Sequence, residues 1–223
     1  MAGEDNDGKT LVQRAPEVAG NVLRQLLETA INGAGIVPGA KATAAGHLVR
    51  RNGVEDAIDS LIRSHVALAA GQGVATNIGG LATLAVALPA NIAGVAVLQI
   101  RLVASIAHLR GYDIDSRCVR TALVLSLLGN EGTRRLMEAD MVPAPPLTVA
   151  TAPVFDASLD KVIAERVFAE LASRIGGRHA VLVARRIPLI GGGVGGALDA
   201  LSTLSVGNYA REQFVTRRRL AQS

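Results

Sequence analysis

RRIPLIGGGVGGALDALST (Arg185–Thr203) is the stretch that decides the fold. Gly191, Gly193 and Gly196 fit G-x-G-x-x-G at the start of a helix, the spacing with which a strand–turn–helix unit cradles a dinucleotide. That unit also needs a second strand carrying an acid about 20 residues further on. AVLVA (residues 180–184) could supply the first strand, but only 27 residues follow Gly196, and ALDALSTLSVGNYAREQFVTRRRLAQS has helical spacing throughout. No βαβ unit fits. GIVPGAKAT around Lys41 likewise has the wrong glycine spacing for a phosphate-binding loop.

Glycine then has a packing role. IVPGAKATAAG, ALPANIAGVAV and RIPLIGGGVGG each place proline after an apolar residue and before a run of small residues that opens a helix. Proline fixes the entry, and small side chains let backbones approach closely. Gly35, Gly39, Gly94, Gly191, Gly192, Gly195 and Gly196 are the expected helix-packing positions.

Composition agrees with an all-α chain. Of 223 residues, 49% are hydrophobic, yet Tyr and Phe together number only 2 and 3, with no Trp and 24 Gly. The expected fold is a compact bundle of about seven to nine Gly/Ala-rich helices. The first runs over roughly 15–31, with Val18, Val22, Leu26 and Thr29 on one stripe. A short Ala-rich helix ends at Arg50-Arg51, and a third begins near Val54 with Ile58, Leu61, Ile62, His65 and Leu68 on its apolar side. From Ser64 to Ile100 no residue is Asp, Glu, Lys or Arg. Its interruptions at Gly71, Gly73, Gly79-Gly80 and Pro89 leave pieces shorter than the ~20 residues of a membrane span. A central apolar helical hairpin flanked by Arg63 and Arg101 is expected, either core or dipping into one leaflet.

The next helix, Ala90 to Arg110, carries Gly94, Arg101, Ser105, His108 and, if it continues, Tyr112 within about 40° of one line. This polar stripe is read first as a solvent-facing side, and alternatively as an anion contact at the mouth of a groove. Asp115 is the expected cap of a following apolar helix that stops at Gly129. The proline-rich segment 141–155 reads as an extended crossing between two halves, followed by an amphipathic helix over 156–176. Residues 1–12, acidic and polar, are expected to be a disordered tail ahead of a helical domain at 13–223.

Chemistry is sparse. His47, His65, His108 and His179 lack metal-ligand spacing, and the single Cys118 excludes an internal disulfide. No metal or cofactor is expected, nor any catalytic residue. Absence of an apolar leader and of cysteine pairs points to a cytoplasmic setting. Asp199 and Thr203 lie one turn apart, and an acid among small apolar residues needs a partner, for which Arg101 is the candidate. The ligand-groove candidates are Arg101, Ser105, His108, Asp199 and Thr203. Arg211, Arg217, Arg218 and Arg219 are candidate contacts for anionic lipid headgroups, although clustered arginine also marks an ordinary solvated face. With few aromatic side chains to stack bases, nucleic acid is not an expected partner.

ALPANIAGVAVLQIRLVASIAHLRGYDIDSRCVRTALVLSLLG and IPLIGGGVGGALDALSTLSVGNYAREQF resemble the EcsC protein family of bacteria, over roughly residues 55–215. The most specific marks are LQIRLVASIAHLRGYD and GGGVGGALDALST. The resemblance implies an α-helical protein at or near the cytoplasmic face of the membrane, in a family named for a member encoded beside transporter components. No catalytic residues are established for it, so none are carried over. Asn91 departs from the family pattern, where an acid commonly follows LPA, which removes one charge partner for Arg101. The expected function is therefore a non-enzymatic cytoplasmic protein, peripheral at the inner face of the membrane. Its expected partners are a membrane lipid, bound in a helical groove, or a membrane protein complex. The alternatives are an enzyme acting on a lipid or phosphoester through Arg101, His108 and Asp199, and a scaffold for a membrane complex.

Overall fold

The computed structural model describes residues 11–71, 90–173 and 193–217. Among these the chain is all-α. It begins with α1 (Leu11–Asn32), then a two-stranded hairpin of β1 (Gly33–Ala34) and β2 (Val37–Pro38), followed by α2 (Ala40–Leu48) and α3 (Val54–Ala70). After these come α4 (Ala90–Leu109), α5 (Arg117–Ser126), α6 (Gly129–Glu138), α7 (Pro146–Ala150), α8 (Ala157–Ser173) and α9 (Gly193–Gln213).

Helix α4 is the axis of the bundle, with α1, α2, α3, α5 and α9 packed against it. Its residues show why: Ile100, Leu102, Val103, Ala104, Ile106 and Ala107 have no solvent exposure at all. A helix apolar on every side must be surrounded on every side. Ile92–Leu109 is long and apolar enough to cross a membrane, with a mean hydropathy of 1.8, and 78% of it is buried inside this bundle. Its hydrophobicity is thus used by the other helices. Of the charge-free stretch expected to form an apolar hairpin, Ser64–Ala70 ends α3 and Ala90–Ile100 belongs to α4, while residues 72–89 between them lie outside the described residues.

Around this axis the chain forms two groups of helices. On one side α3 lies along α9, and on the other α8 closes over α1 and α5 while α7 packs on α5. Helix α1 supplies Val22, Leu23, Leu26, Leu27, Ala30 and Ile31 to the core at the spacing of one helical face.

The α3–α9 contact depends on a small residue. A Cβ on Gly196 would stand 2.3 Å from the carbonyl oxygen of Ala70, so this glycine has the packing role its sequence context implies. Alanine ordinarily favours a helix over glycine by about 1 kcal/mol. Here the clash is with backbone, and overpacking of about 1–3 kcal/mol outweighs that gain. Gly196→Ala is expected to lower unfolding stability, whereas Gly20→Ala in α1, with nothing within 4 Å, is expected to raise it by about 0.5–1 kcal/mol. Urea titration of the two variants checks both signs.

Several local expectations change. Gly35 forms the tip of the β1–β2 hairpin at φ +56°, with nothing within 4 Å, so it is a turn residue rather than a helix-packing one. Gly39 does allow a close approach, 2.2 Å from a would-be Cβ to the Ile31 carbonyl, but to the end of α1 across the hairpin rather than to a helix flank. Gly94 is buried and Gly195 falls in the first turn of α9, while Gly191 and Gly192 lie outside the described residues. The crossing segment 141–155 is not wholly extended, because Pro146 opens α7, one turn whose Pro146, Val149 and Ala150 are buried. Leu11 and Val12, assigned by sequence to a tail, belong to α1. Ser116, not Asp115, occupies the N-cap position of α5. Asp115 is drawn away by Lys41 on α2, 2.5 Å from its carboxylate. The last helix stops at Gln213 instead of running to the end, because Phe214 turns fully into the core. Arg217 then donates its backbone N–H to the Arg110 carbonyl, at 3.0 Å.

Candidate functional site

The polar stripe of α4 faces inward, which reverses the solvent-facing expectation. Arg101 is 6% exposed and Ser105 is fully buried. The Ser105 hydroxyl donates to the Ala40 carbonyl at 3.0 Å, and Arg101 Nη1 donates to the Pro38 carbonyl at 3.4 Å. Two turns of α4 therefore grip the junction where β2 becomes α2. Burial lowers the pKa of Arg101, yet a guanidinium remains charged in a protein, so acceptors must surround it.

One acceptor is His65 on α3. Its Nδ1 lies 2.9 Å from the Leu61 carbonyl, which can only accept, so Nδ1 carries the proton. Nε2 is then free to accept from Arg101 Nε at 3.4 Å. Burial first, and the Arg101 charge second, push the His65 pKa down to about 4. A neutral imidazole is what this position requires, because a protonated one would confront the guanidinium. Ser64 carries the network outward, its hydroxyl 3.4 Å from His65 Nδ1 and 3.5 Å from Nε2 of His47, whose Nδ1 lies 3.0 Å from the Ser60 hydroxyl. Desolvation, and then Arg50 and Arg51, lower the His47 pKa as well.

The remaining predicted positions separate. Thr203 on α9 is buried and accepts from Gln99 Nε2 at 3.2 Å, as Ser202 does at 3.1 Å. Asp199 is half-buried on α9, and the contacts of Arg101 with described residues go to His65 and Pro38 rather than to it. His108 is half-buried further along α4, near enough to Asp115 to help lower that carboxyl's pKa, after the larger effect of Lys41. Arg101 and Ser105 thus share the Pro38–Ala40 junction, while Thr203 meets Gln99 where α9 packs on α4.

Of the lipid-headgroup candidates, Arg211 is ion-paired with Asp59 across the α3–α9 contact. Arg217 is exposed and sits 5.4 Å from the centre of the Tyr112 ring. Arg218 and Arg219 lie outside the described residues. Among the described residues no group of three His, Cys, Asp or Glu could hold a metal ion.

A groove that sequence spacing did not suggest lies between α1, α5 and α8, with a volume of about 680 Å³. Such a volume suits a small molecule. Leu23, Leu27, Val124, Ala157 and Ala164 make its apolar wall, and Arg24, Arg117, Arg120 and Lys161 supply cations. Its two acids are already engaged: Glu28 holds Arg120 at 2.5 Å, and Asp160 accepts from the Thr121 hydroxyl. The guanidinium carbon of Arg117 lies over the Phe155 ring, 3.8 Å from its centre. Arg24, Arg117 and Lys161 form no ion pair among the described residues. These groups stand far apart in sequence, each looking like a solvated surface residue. Only the packing of α8 on α1 and α5 gathers them. A second cavity, of about 450 Å³ between α6 and α9, has its arginine, Arg134, already bound by Glu131 and Glu138. Neither cavity includes Arg101, His108 or Asp199.

Compared with known proteins, the chain matches no family model, no curated protein and no solved structure.

Proposed function

We propose that this protein binds a lipid-like molecule in the groove between α1, α5 and α8, without performing chemistry on it, and works peripherally at the inner face of the membrane. The observation that carries the reading is a groove of about 680 Å³ that pairs an aliphatic wall with a charged rim. An amphiphile needs both surfaces together. The resemblance of LQIRLVASIAHLRGYD and GGGVGGALDALST to the EcsC family supports the membrane setting. Arg101, His108 and Asp199, which the lipid-enzyme alternative requires, do not line this groove.

The test is native mass spectrometry of protein purified without detergent and incubated with a total bacterial lipid extract. A one-to-one adduct is expected, and Ala164→Trp, which fills the groove from α8, is expected to abolish it while circular dichroism remains unchanged. No adduct with the wild-type protein, or one that persists in Ala164→Trp, would sink the reading. Flotation with anionic liposomes at low and high salt tests the membrane setting separately.

A further inference from the structure

We infer that the ligand of this groove is a phosphate monoester on a single aliphatic tail, its phosphate held by Arg24, Arg117 and Lys161. The inference rests on the proposed lipid-binding role and adds the headgroup chemistry. Among the described residues that line the groove, four cations stand against Glu28 and Asp160, which leaves two positive charges in excess. A phosphate monoester carries about −1.5 to −2 at neutral pH, whereas a carboxylate or phosphodiester carries about −1. Only the monoester matches the surplus.

The rim is also arranged for an oxyanion. Arg120 is committed, with Nη1 on Glu28 at 2.5 Å and Nε donating to the Ile114 carbonyl at 3.4 Å. Arg117 has its guanidinium carbon 3.8 Å over the centre of the Phe155 ring. Its guanidinium N–H donors make no hydrogen bond or ion pair among the described residues, and a planar fork of donors suits phosphate oxygens. The same stack argues for an aliphatic tail over a nucleoside. Phe155 is the one aromatic residue among the described residues lining the groove, and Arg117 already covers it, while Leu23, Leu27 and Val124 offer an aliphatic wall.

Calorimetric titration of the full chain with monodecyl phosphate, decyl sulfate, decyl maltoside, inorganic phosphate and adenosine monophosphate tests this. Monodecyl phosphate is expected to bind about tenfold or more tightly than decyl sulfate, which has the same tail and one charge fewer. Arg117→Gln and Lys161→Gln are each expected to weaken monodecyl phosphate about tenfold, with decyl maltoside unaffected. Arg135→Gln, exposed on α6, serves as the charge control and should change nothing. Equal binding of the three decyl compounds would overturn the headgroup assignment while leaving a lipid-binding groove. Inorganic phosphate or adenosine monophosphate binding as tightly as monodecyl phosphate would overturn the tail. Failure of every amphiphile would remove both the assignment and the proposed function beneath it.

Discussion

Acidification from pH 7.5 to pH 4 is expected to remove about 3 kcal/mol of stability through His65 alone. In the folded protein this imidazole stays neutral until about pH 4, because it is buried and abuts Arg101. In the unfolded chain it takes up a proton near pH 6.5. Between those values the unfolded state binds more protons, so stability falls with pH across that window. His65→Gln preserves an acceptor for Arg101 Nε but cannot titrate there. Urea unfolding at intervals from pH 7.5 to 4 should show a shallower loss in the variant, the difference reaching about 3 kcal/mol. Carboxylates such as Asp115, whose pKa is lowered first by its hydrogen bond from Lys41, also lose stabilisation in acid. That contribution is common to both proteins and cancels in the comparison. Identical slopes would show that His65 does not receive Arg101 in solution.

Phe214→Ala is expected to cost about 3–5 kcal/mol, the range for deleting a large buried aromatic side chain. Phe214 is fully buried and meets Tyr112 edge-on, with ring centres 5.1 Å apart and an interplanar angle of 85°. Such geometry adds about 0.5–1.5 kcal/mol beyond burial alone. Around this pair Arg110 bonds the Phe214 carbonyl at 3.4 Å and Glu55 on α3 at 2.7 Å. The ring thus plugs the point where α3, the end of α4 and the chain beyond α9 meet. Val215 is 47% exposed and should tolerate alanine within about 0.5 kcal/mol. Denaturant midpoints of the two variants give the comparison, and a loss below about 1 kcal/mol for Phe214→Ala would contradict this account.

The helices were legible in the sequence wherever local rules suffice. Pro89 and Gly111 bracket α4, and its observed span, Ala90–Leu109, differs from the expected one by a residue. The orientation of its polar stripe was not legible. Periodicity places Arg101 and Ser105 on one line but does not say whether that line meets water or the Pro38–Ala40 junction. The acceptors that make burial tolerable are backbone carbonyls and a histidine 36 residues away, and nothing about them shows in the residue types on α4. The same limit hid the α1–α5–α8 groove. Arg120 and Glu28 pair across 92 residues, a neighbourhood created by packing and invisible to spacing within one helix. At Gly196 sequence and structure agree because a run of glycine is costly in a helix and needs a close contact to offset it.

The contact between Gly196 and Ala70 has a consequence for the protein as it leaves the ribosome. At about 5–20 residues per second, α3 emerges roughly 6–25 s before the residue that is to cover it. Over that interval Ile58, Leu61 and Ile62, all buried in the finished protein, await their α9 partner. The nascent chain therefore carries an apolar ridge that α9 does not yet cover for much of its synthesis. It depends in that time on α2 and α4, the neighbours of α3 already translated, or on a chaperone.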